Sequence, residues 1–155
     1  MPVCQTRYHG TIRFEPHQVL HVPGGLFGFP DEKEFLLLEL PSMRPLAFVQ
    51  SIRTPGLCFI ALPAQVVEPG YQPNLQPDDV EAFGYPADQP PTMGQDLLCL
   101  ALLTMRDKQE TTANLLAPLM IDIPRHHGMQ VLVEGGYSHE HPIAAGPATE
   151  LTKSC

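Results

Sequence analysis

The sequence contains no tryptophan and few basic residues. Its 155 residues include 9 Lys and Arg against 17 Asp and Glu, which gives a formal net charge of -8. Proteins that bind nucleic acid present cations to the phosphates, so this balance argues against direct binding of nucleic acid. No Lys or Arg occurs between Arg53 and Arg106. This interval instead holds six acidic residues, which are Glu68, Asp78, Asp79, Glu81, Asp88 and Asp96. It is either a solvated surface that aids solubility or a face that attracts a basic partner.

Long apolar runs and targeting segments are also missing. No apolar stretch reaches the roughly 18 residues that a membrane-spanning helix requires, so no membrane partner is expected. The first ten residues, MPVCQTRYHG, lack the basic start and apolar run of a signal peptide. The four cysteines form no CxxC motif. A cytoplasmic protein with reduced thiols is the simplest interpretation.

Proline is the residue that the sequence has in excess. There are 18 prolines among 155 residues, more than twice the usual share of about 5%. They are spread along the chain and leave few intervals long enough for a helix. The apolar segments between them have strand length, and the candidates are residues 10–15, 18–25, 34–40, 46–51, 57–64, 96–106, 120–124 and 129–136. The pattern predicts an all-β-dominated domain, a small antiparallel β-barrel or sandwich-like fold with one or two short helices.

Local signals refine this picture. The first two candidate strands are close enough in sequence to form a hairpin. A single helical turn is expected at PDEKE, residues 30–34, because proline favours the first helical position. Apolar periodicity ends after Ile143. We therefore expect one β domain over residues 1–143 and a loose C-terminal tail over residues 144–155.

The clearest helix signal lies in LQPDDVEAFGYP, residues 75–86. Pro77 is typical of a helix start, and Gly84 is typical of a helix end. Asp78 and Asp79 fall in the first turn, where the helix dipole stabilises negative charge. Adjacent helical residues point in different directions, so these two carboxylates do not form an acid/base pair.

Histidine is the residue type that most suggests catalytic or metal chemistry. His126 and His127 are adjacent, and His139 and His141 would share one face of a strand around Glu140. Two imidazoles and a carboxylate can bind zinc. However, no HExxH motif or neighbouring cysteine accompanies them, and no GxSxG motif is present. No catalytic residue, metal or cofactor is expected, although a small metalloprotein using these four histidines remains an alternative.

An asparagine and a proline interrupt the apolar segment TTANLLAPLM, residues 111–120. An amide in such a run most often bonds nearby backbone groups, which is the structural interpretation of Asn114. Pro118 cannot donate to a strand ladder, so it indicates an edge or bulge before pairing resumes. The alternative is that both residues shape a surface that a partner meets.

Several motifs, taken in order, resemble the FliW family of bacterial flagellar assembly factors over residues 6–143. They are TRYHG (6–10), GLFGF (25–29), FVQS (48–51), PDDVEAFG (77–84), TTANLLAPLMID (111–122), Gln130 and YSHEHPI (137–143). The order and spacing of the motifs carry the resemblance, and the Asn-Leu-Leu-Ala-Pro core is its strongest part. Glu140 stands where the family tends to carry an arginine before His-Pro.

The resemblance implies a non-catalytic, cytoplasmic regulator with a compact β fold. Members of the family bind flagellin and also CsrA, a small dimeric RNA-binding repressor of translation. Bound to CsrA, such a protein relieves repression of flagellin translation, and newly made flagellin then takes it back. A chaperone for another secreted subunit is the alternative within the same class. Eight residues are predicted to bind a partner, namely Gln50, Ser51, Asp78, Asp79, Asn114, Pro118, Gln130 and Tyr137.

Overall fold

The computed structural model describes residues 2–143. Within this range the strands are β1 Val3–Gln5, β2 Thr11–Arg13, β3 Leu20–His21, β4 Glu34–Leu38, β5 Ala47–Ser51, β6 Cys58–Pro63, β7 Leu97–Thr104, β8 Thr112–Ala113, β9 Leu119–Asp122, β10 His127–Gln130 and β11 His141–Pro142. The helices are α1 Ala64–Val67 and α2 Pro77–Ala82, with 3-10 helices at Pro16–Gln18 and Pro41–Met43. The predicted tail, residues 144–155, lies outside the described residues.

Seven strands form a closed barrel in the order β3, β4, β5, β6, β7, β9, β10. β7 is long enough to pair with two strands. Its N-terminal part, from Leu97, pairs with β9, and residues around Leu102 pair with β6, which links the two ends of the barrel sheet. β10 closes the barrel on β3 through a single parallel pair, His127 with His21. The other pairs in the barrel are antiparallel. The predicted fold, a small β-barrel with short helices, is confirmed, and the parallel closure is the one departure from an antiparallel barrel.

β5 shows why the sequence gives a barrel with both faces covered. Ala47 and Val49 point to the interior core cluster, which also contains Phe35. Phe48, one residue out of phase, belongs to a separate cluster on the outer face together with Ile60. Because successive side chains of a strand alternate between faces, a strand covered on both sides is apolar throughout. This accounts for the continuous apolar runs that the sequence shows at β5 and β6.

The predicted hairpin and the predicted helical turn were both wrong. β2 pairs with β1 at the chain start, and the 3-10 helix Pro16–Gln18 turns the chain before β3 begins. The segment at residues 30–34 forms no helix; the Glu32 N–H donates to the Phe29 carbonyl at 3.2 Å in a reverse turn. The Glu32 carboxylate accepts a hydrogen bond from Ser51. This contact fixes the turn beside the end of β5, and the chain then enters β4 at Glu34, which pairs with His21.

The predicted helix is confirmed as α2. Phe83, which follows the helix, is buried in a core cluster with residues of β7 and β9. Gly84 then adopts a φ of +87°, a conformation that glycine reaches without strain. The helix is thus held at its C-terminal end while its first turn faces solvent. No helix among residues 2–143 combines the length and apolar character needed to span a membrane.

Candidate functional site

The structure separates the eight predicted partner-binding residues into three groups. The first is the bend, defined as residues 114–118, together with Gln130, which bonds to it, and Tyr137, which contacts it through Tyr71. The second is the acidic helix α2, with Asp78 and Asp79. The third is the end of β5, with Gln50 and Ser51. Each group has a different degree of exposure and a different set of partners.

Asn114 organises the bend from within. Its side-chain oxygen accepts hydrogen bonds from the N–H groups of Leu116, at 3.1 Å, and Ala117, at 2.8 Å. An amide that receives two successive backbone donors replaces a strand ladder with a local turn. The structural interpretation of Asn114 is therefore confirmed, and its amide oxygen is used inside the chain.

Pro118 marks the point where the bend ends and regular pairing resumes. It is buried, and β9 begins at the next residue. Its carbonyl accepts the N–H of Val131 at 3.1 Å, while the Leu116 carbonyl accepts the N–H of Val133 at 2.9 Å. The predicted strand at residues 129–136 ends at Gln130 because the chain beyond it bonds to the irregular bend instead of a regular ladder.

Gln130 joins the bend to the glycine-rich loop at residues 25–29. Its amide nitrogen donates to the Ala117 carbonyl at 2.9 Å, and its amide oxygen accepts the Phe27 N–H at 2.8 Å. The loop needs glycine at Gly25, where φ is +69° and a Cβ atom would lie 2.6 Å from the Phe29 carbonyl oxygen. Gln130 therefore positions a loop that leaves the Phe27 side chain 56% exposed.

Tyr137 supports the other side of the bend through Tyr71. The Tyr71 hydroxyl donates to the Leu115 carbonyl at 2.6 Å, and the two tyrosine rings meet edge to face at 4.5 Å. The Tyr137 hydroxyl accepts the N–H of Gln72 at 3.1 Å. Burial raises the pKa of the Tyr71 hydroxyl well above its ordinary value, so the hydroxyl remains a hydrogen-bond donor throughout the physiological pH range.

Gln50 and Ser51 are both fully buried. The Gln50 amide nitrogen lies within hydrogen-bond distance of three backbone carbonyls, including that of Leu57 at 3.2 Å. The Ser51 hydroxyl donates to Glu32 at 3.0 Å and accepts the N–H of Thr54 at 2.9 Å. These contacts hold the turn between β5 and β6. A partner-binding role for the pair stays a prediction, and their burial does not favour it.

Asp78 and Asp79 differ although they are neighbours on α2. Asp78 is exposed, whereas Asp79 is half-buried and its carboxylate accepts the N–H of Gln76 at 3.4 Å. Asp79 thus acts as the N3 residue of a capping box with Gln76 at the helix start. Glu81, one turn further on, is exposed beside them. The negative charge available to another molecule at this surface is therefore that of Asp78 and Glu81.

An ion pair between a half-exposed arginine and a buried aspartate anchors the acidic helix to the barrel. The side chain of Asp122, only 1% exposed, accepts a hydrogen bond from Arg125 at 2.9 Å. The same Arg125 nitrogen donates to the Phe83 carbonyl at 2.8 Å, and the guanidinium carbon lies 5.1 Å from the centre of the Tyr85 ring. Burial and the nearby Asp122 carboxylate raise the pKa of Tyr85. Three interactions of one arginine thus fix the C-terminal end of α2.

An apolar groove lies between α2 and the loop that follows it. One hollow of about 450 Å³ includes in its lining Leu75, Val80, Glu81, Tyr85, Pro86 and Pro90. A neighbouring hollow of about 310 Å³, lined also by Asn74 and Met93, shares Leu75, Val80 and Pro90 with it, so the two hollows adjoin and are taken together as one depression. We call this depression the α2 groove. It combines an apolar lining with the carboxylate of Glu81 and differs in this respect from the bend.

Comparison with known proteins identifies the family. The model of the family described as FliW protein matches residues 3–143. The chain belongs to the FliW family. The match contains the bend, the acidic helix and the α2 groove, and the resemblance noted from the sequence motifs is confirmed.

Relatives in the FliW family extend over nearly the same length. The flagellar assembly factor FliW of Geobacillus thermodenitrificans (strain NG80-2) is 31% identical over 140 residues, which are 89% of this chain and 92% of that protein. The protein of the same description from Bacillus subtilis (strain 168) is 28% identical over 143 residues, covering 91% and 96%. A crystal structure of the flagellar assembly factor FliW superposes with a TM-score of 0.79 at 30% identity, covering 91% of this chain and 96% of that one.

One histidine of each pair in this FliW-family chain lies on a strand, and β9, β7 and β8 separate those two strands in the sheet. His127 is on β10, near His21 at a ring distance of 5.9 Å, whereas His141 is on β11. Glu140 binds Arg106 at 2.9 Å and lies 3.8 Å from His139. Within residues 2–143, no group of three or more His, Cys, Asp or Glu side chains is arranged to hold a metal ion. The arrangement therefore gives no support to the metalloprotein alternative.

Two residues that hold the bend and α2 in place were not predicted from the sequence. Tyr71 contacts the bend across 44 positions of sequence, and Arg125 contacts Phe83 across 42. Neither partner can be inferred from local periodicity. A tyrosine isolated in a proline- and glycine-rich stretch was the only available signal for Tyr71, since such a residue needs a reason to be buried.

Proposed function

We propose that this FliW-family protein is a non-catalytic regulator of flagellar assembly that acts in the cytoplasm and binds both CsrA and flagellin. Binding to CsrA relieves repression of flagellin translation, and flagellin competes for the regulator as it accumulates. The observation that carries the proposal is the exposed acidic surface of Asp78 and Glu81 within a family of flagellar assembly factors.

Charge complementarity supports CsrA as a partner of this surface. An RNA-binding repressor must present cations to phosphates. Residues 54–105 of this chain contain no Lys or Arg, so a basic protein meets no repulsive charge from that part of the chain. Opposite charges at the edge of a contact mainly raise the association rate, and salt weakens that effect. The complex is therefore expected to form more slowly as ionic strength increases.

Calorimetry with purified CsrA and purified flagellin from the same organism tests the proposal. We expect a saturable binding isotherm with each protein, and competition when both are present. Absence of binding to both proteins would contradict the proposal. If a pull-down then returned a different secreted subunit, the protein would be a chaperone for that subunit instead.

A double charge reversal tests whether the acidic helix takes part. Asp78→Lys with Glu81→Lys leaves the cap at Asp79 in place and is expected to weaken CsrA binding about tenfold, with a shallower salt dependence. Asp107→Lys with Glu110→Lys is the matched control, because both residues are exposed on the loop between β7 and β8 and the net charge changes equally. Equal binding by the two variants across a salt series would place CsrA away from α2.

A further inference from the structure

We infer that the α2 groove binds a short segment of a protein partner in which one or two apolar side chains are flanked by Lys or Arg. The inference rests on the proposed function, since it names the part of a basic partner that the acidic surface would receive. It goes further because it adds an apolar contact to the charge contact and places that apolar contact in the α2 groove.

The shape of the groove favours a peptide segment as the occupant. Leu75, Val80 and Pro90 line both hollows, so the two hollows lie side by side. Its larger part, about 450 Å³, falls in the range of about 300–1,000 Å³ that is usual for binding sites. Two adjoining hollows can each accept one side chain of the same chain segment, as in recognition of helices or extended peptides by grooves.

The charge around the groove favours a segment that carries positive charge. Glu81 lines the groove, Asp78 is exposed one turn before it, and Asp88 is exposed on the loop opposite the helix. Arg125 reaches this region, but Asp122 neutralises it through the ion pair at 2.9 Å. An acidic segment would meet unbalanced repulsion here, whereas Lys or Arg beside the apolar side chains would pair with the carboxylates.

The groove is held open before any partner arrives. Arg125 fixes the C-terminal end of α2 by bonding the Phe83 carbonyl. Pro77, Pro86 and Pro90 line the groove, and proline restricts the backbone on both of its sides. A site that is already ordered loses little conformational freedom on binding, so a short segment can bind there with useful affinity.

Fluorescence anisotropy with three synthetic peptides tests the inference. The probes are a fluorescein-labelled amphipathic peptide of Leu and Lys, a peptide with Glu in place of Lys, and a peptide with Ser in place of Leu. We expect the Leu/Lys peptide to bind at least tenfold more tightly than either of the others. Equal binding of the Leu/Lys and Ser/Lys peptides would overturn the inference, because only charge would then be recognised.

Two protein variants locate the binding of that peptide. Val80→Glu places a carboxylate on the apolar lining, and Glu81→Lys reverses the charge at its edge; each is expected to weaken Leu/Lys binding at least tenfold. Val3→Glu is the control, since Val3 is 47% exposed on β1 and β1 packs on a different core cluster. Thermal unfolding verifies that each variant is folded. If Val80→Glu does not fold, the Glu81→Lys variant alone tests where the peptide binds. Peptide binding that is unchanged by Glu81→Lys would overturn the inference.

Intact CsrA separates this inference from the proposed function. If CsrA binds the wild type and Val3→Glu equally but binds Val80→Glu at least tenfold more weakly, the groove is part of the contact. If the folded Val80→Glu variant binds CsrA as the wild type does, the groove inference fails while the proposed function stands. If no variant and no wild type binds CsrA, the proposed partner is wrong, and the peptide series still decides what the groove recognises.

Discussion

The bend and the acidic helix carry the two most recognisable motifs of the chain, yet they are built in opposite ways. In the bend, Leu115 is fully buried and Ala117 is 3% exposed, and Asn114 is bonded to the backbone around it. On α2, Asp78 and Glu81 are exposed beside an open groove. A motif that is easy to recognise is therefore not necessarily a contact surface. The burial and internal hydrogen bonds of the bend are those of a scaffold, and we propose that a partner reaches the charge and the groove beside α2.

The two regions are nevertheless connected. Tyr71, which precedes α2, donates its hydroxyl hydrogen to the Leu115 carbonyl in the bend. Phe83, which follows α2, lies in the same core cluster as Leu115. Changes in the bend should therefore lower stability, and changes on the helix surface should lower partner affinity. The following variants test that division, beginning with the largest expected effect on stability.

Arg125→Met removes the cation from the anchor of α2. It leaves the buried Asp122 carboxylate without its ion-pair partner, which we expect to cost about 3 kcal/mol of the free energy of unfolding. Urea denaturation at neutral pH measures the loss. Arg106→Met is the control, because its ion pair with Glu140 is about half exposed on both sides and contributes at most about 1 kcal/mol. Equal losses for the two variants would mean that the anchor is no stronger than an ordinary surface ion pair.

Asn114→Ala removes the side-chain amide that accepts two backbone hydrogen bonds in the bend. The N–H groups of Leu116 and Ala117 lose their acceptor, and we expect about 2 kcal/mol less stability. CsrA affinity measured below the unfolding temperature should remain that of the wild type. Asn74→Ala, at an exposed asparagine, should change stability little. Normal stability combined with loss of one partner would instead make Asn114 a contact residue.

Tyr71→Phe tests a single hydrogen bond between the two regions. The ring contact with Tyr137 is preserved, but the buried Leu115 carbonyl loses its donor, so we expect a loss of about 1 kcal/mol. Thermal unfolding monitored by circular dichroism measures it. Tyr8→Phe provides a comparison, since Tyr8 is 47% exposed. A change of the same size in both variants would show that the bond to the bend contributes nothing specific.

Asp78→Lys should have the smallest effect on stability. The residue is exposed, and reversing one charge in the first helical turn is expected to cost about 0.5 kcal/mol through the helix dipole. The same variant should nevertheless reduce CsrA affinity measurably. A loss of stability as large as that of Asn114→Ala would mean that α2 and the bend do not differ in the way described.

The sequence was informative where structure depends on neighbours along the chain. It located the barrel strands other than β10 to within a few residues, placed α2, and assigned Asn114 to the local backbone, because periodicity and caps are local properties. It was uninformative where distant segments meet. The parallel closure of β10 on β3, the bond from Tyr71 to the Leu115 carbonyl and the contact of Arg125 with Phe83 all join segments far apart in sequence.

Amide hydrogen–deuterium exchange of this protein with and without CsrA tests the central claim most directly. The account predicts that CsrA slows exchange mainly at residues 75–91, which contain α2 and the groove, and leaves residues 111–118 unchanged. Protection centred on residues 111–118, with none at residues 75–91, would contradict it and make the bend the contact surface.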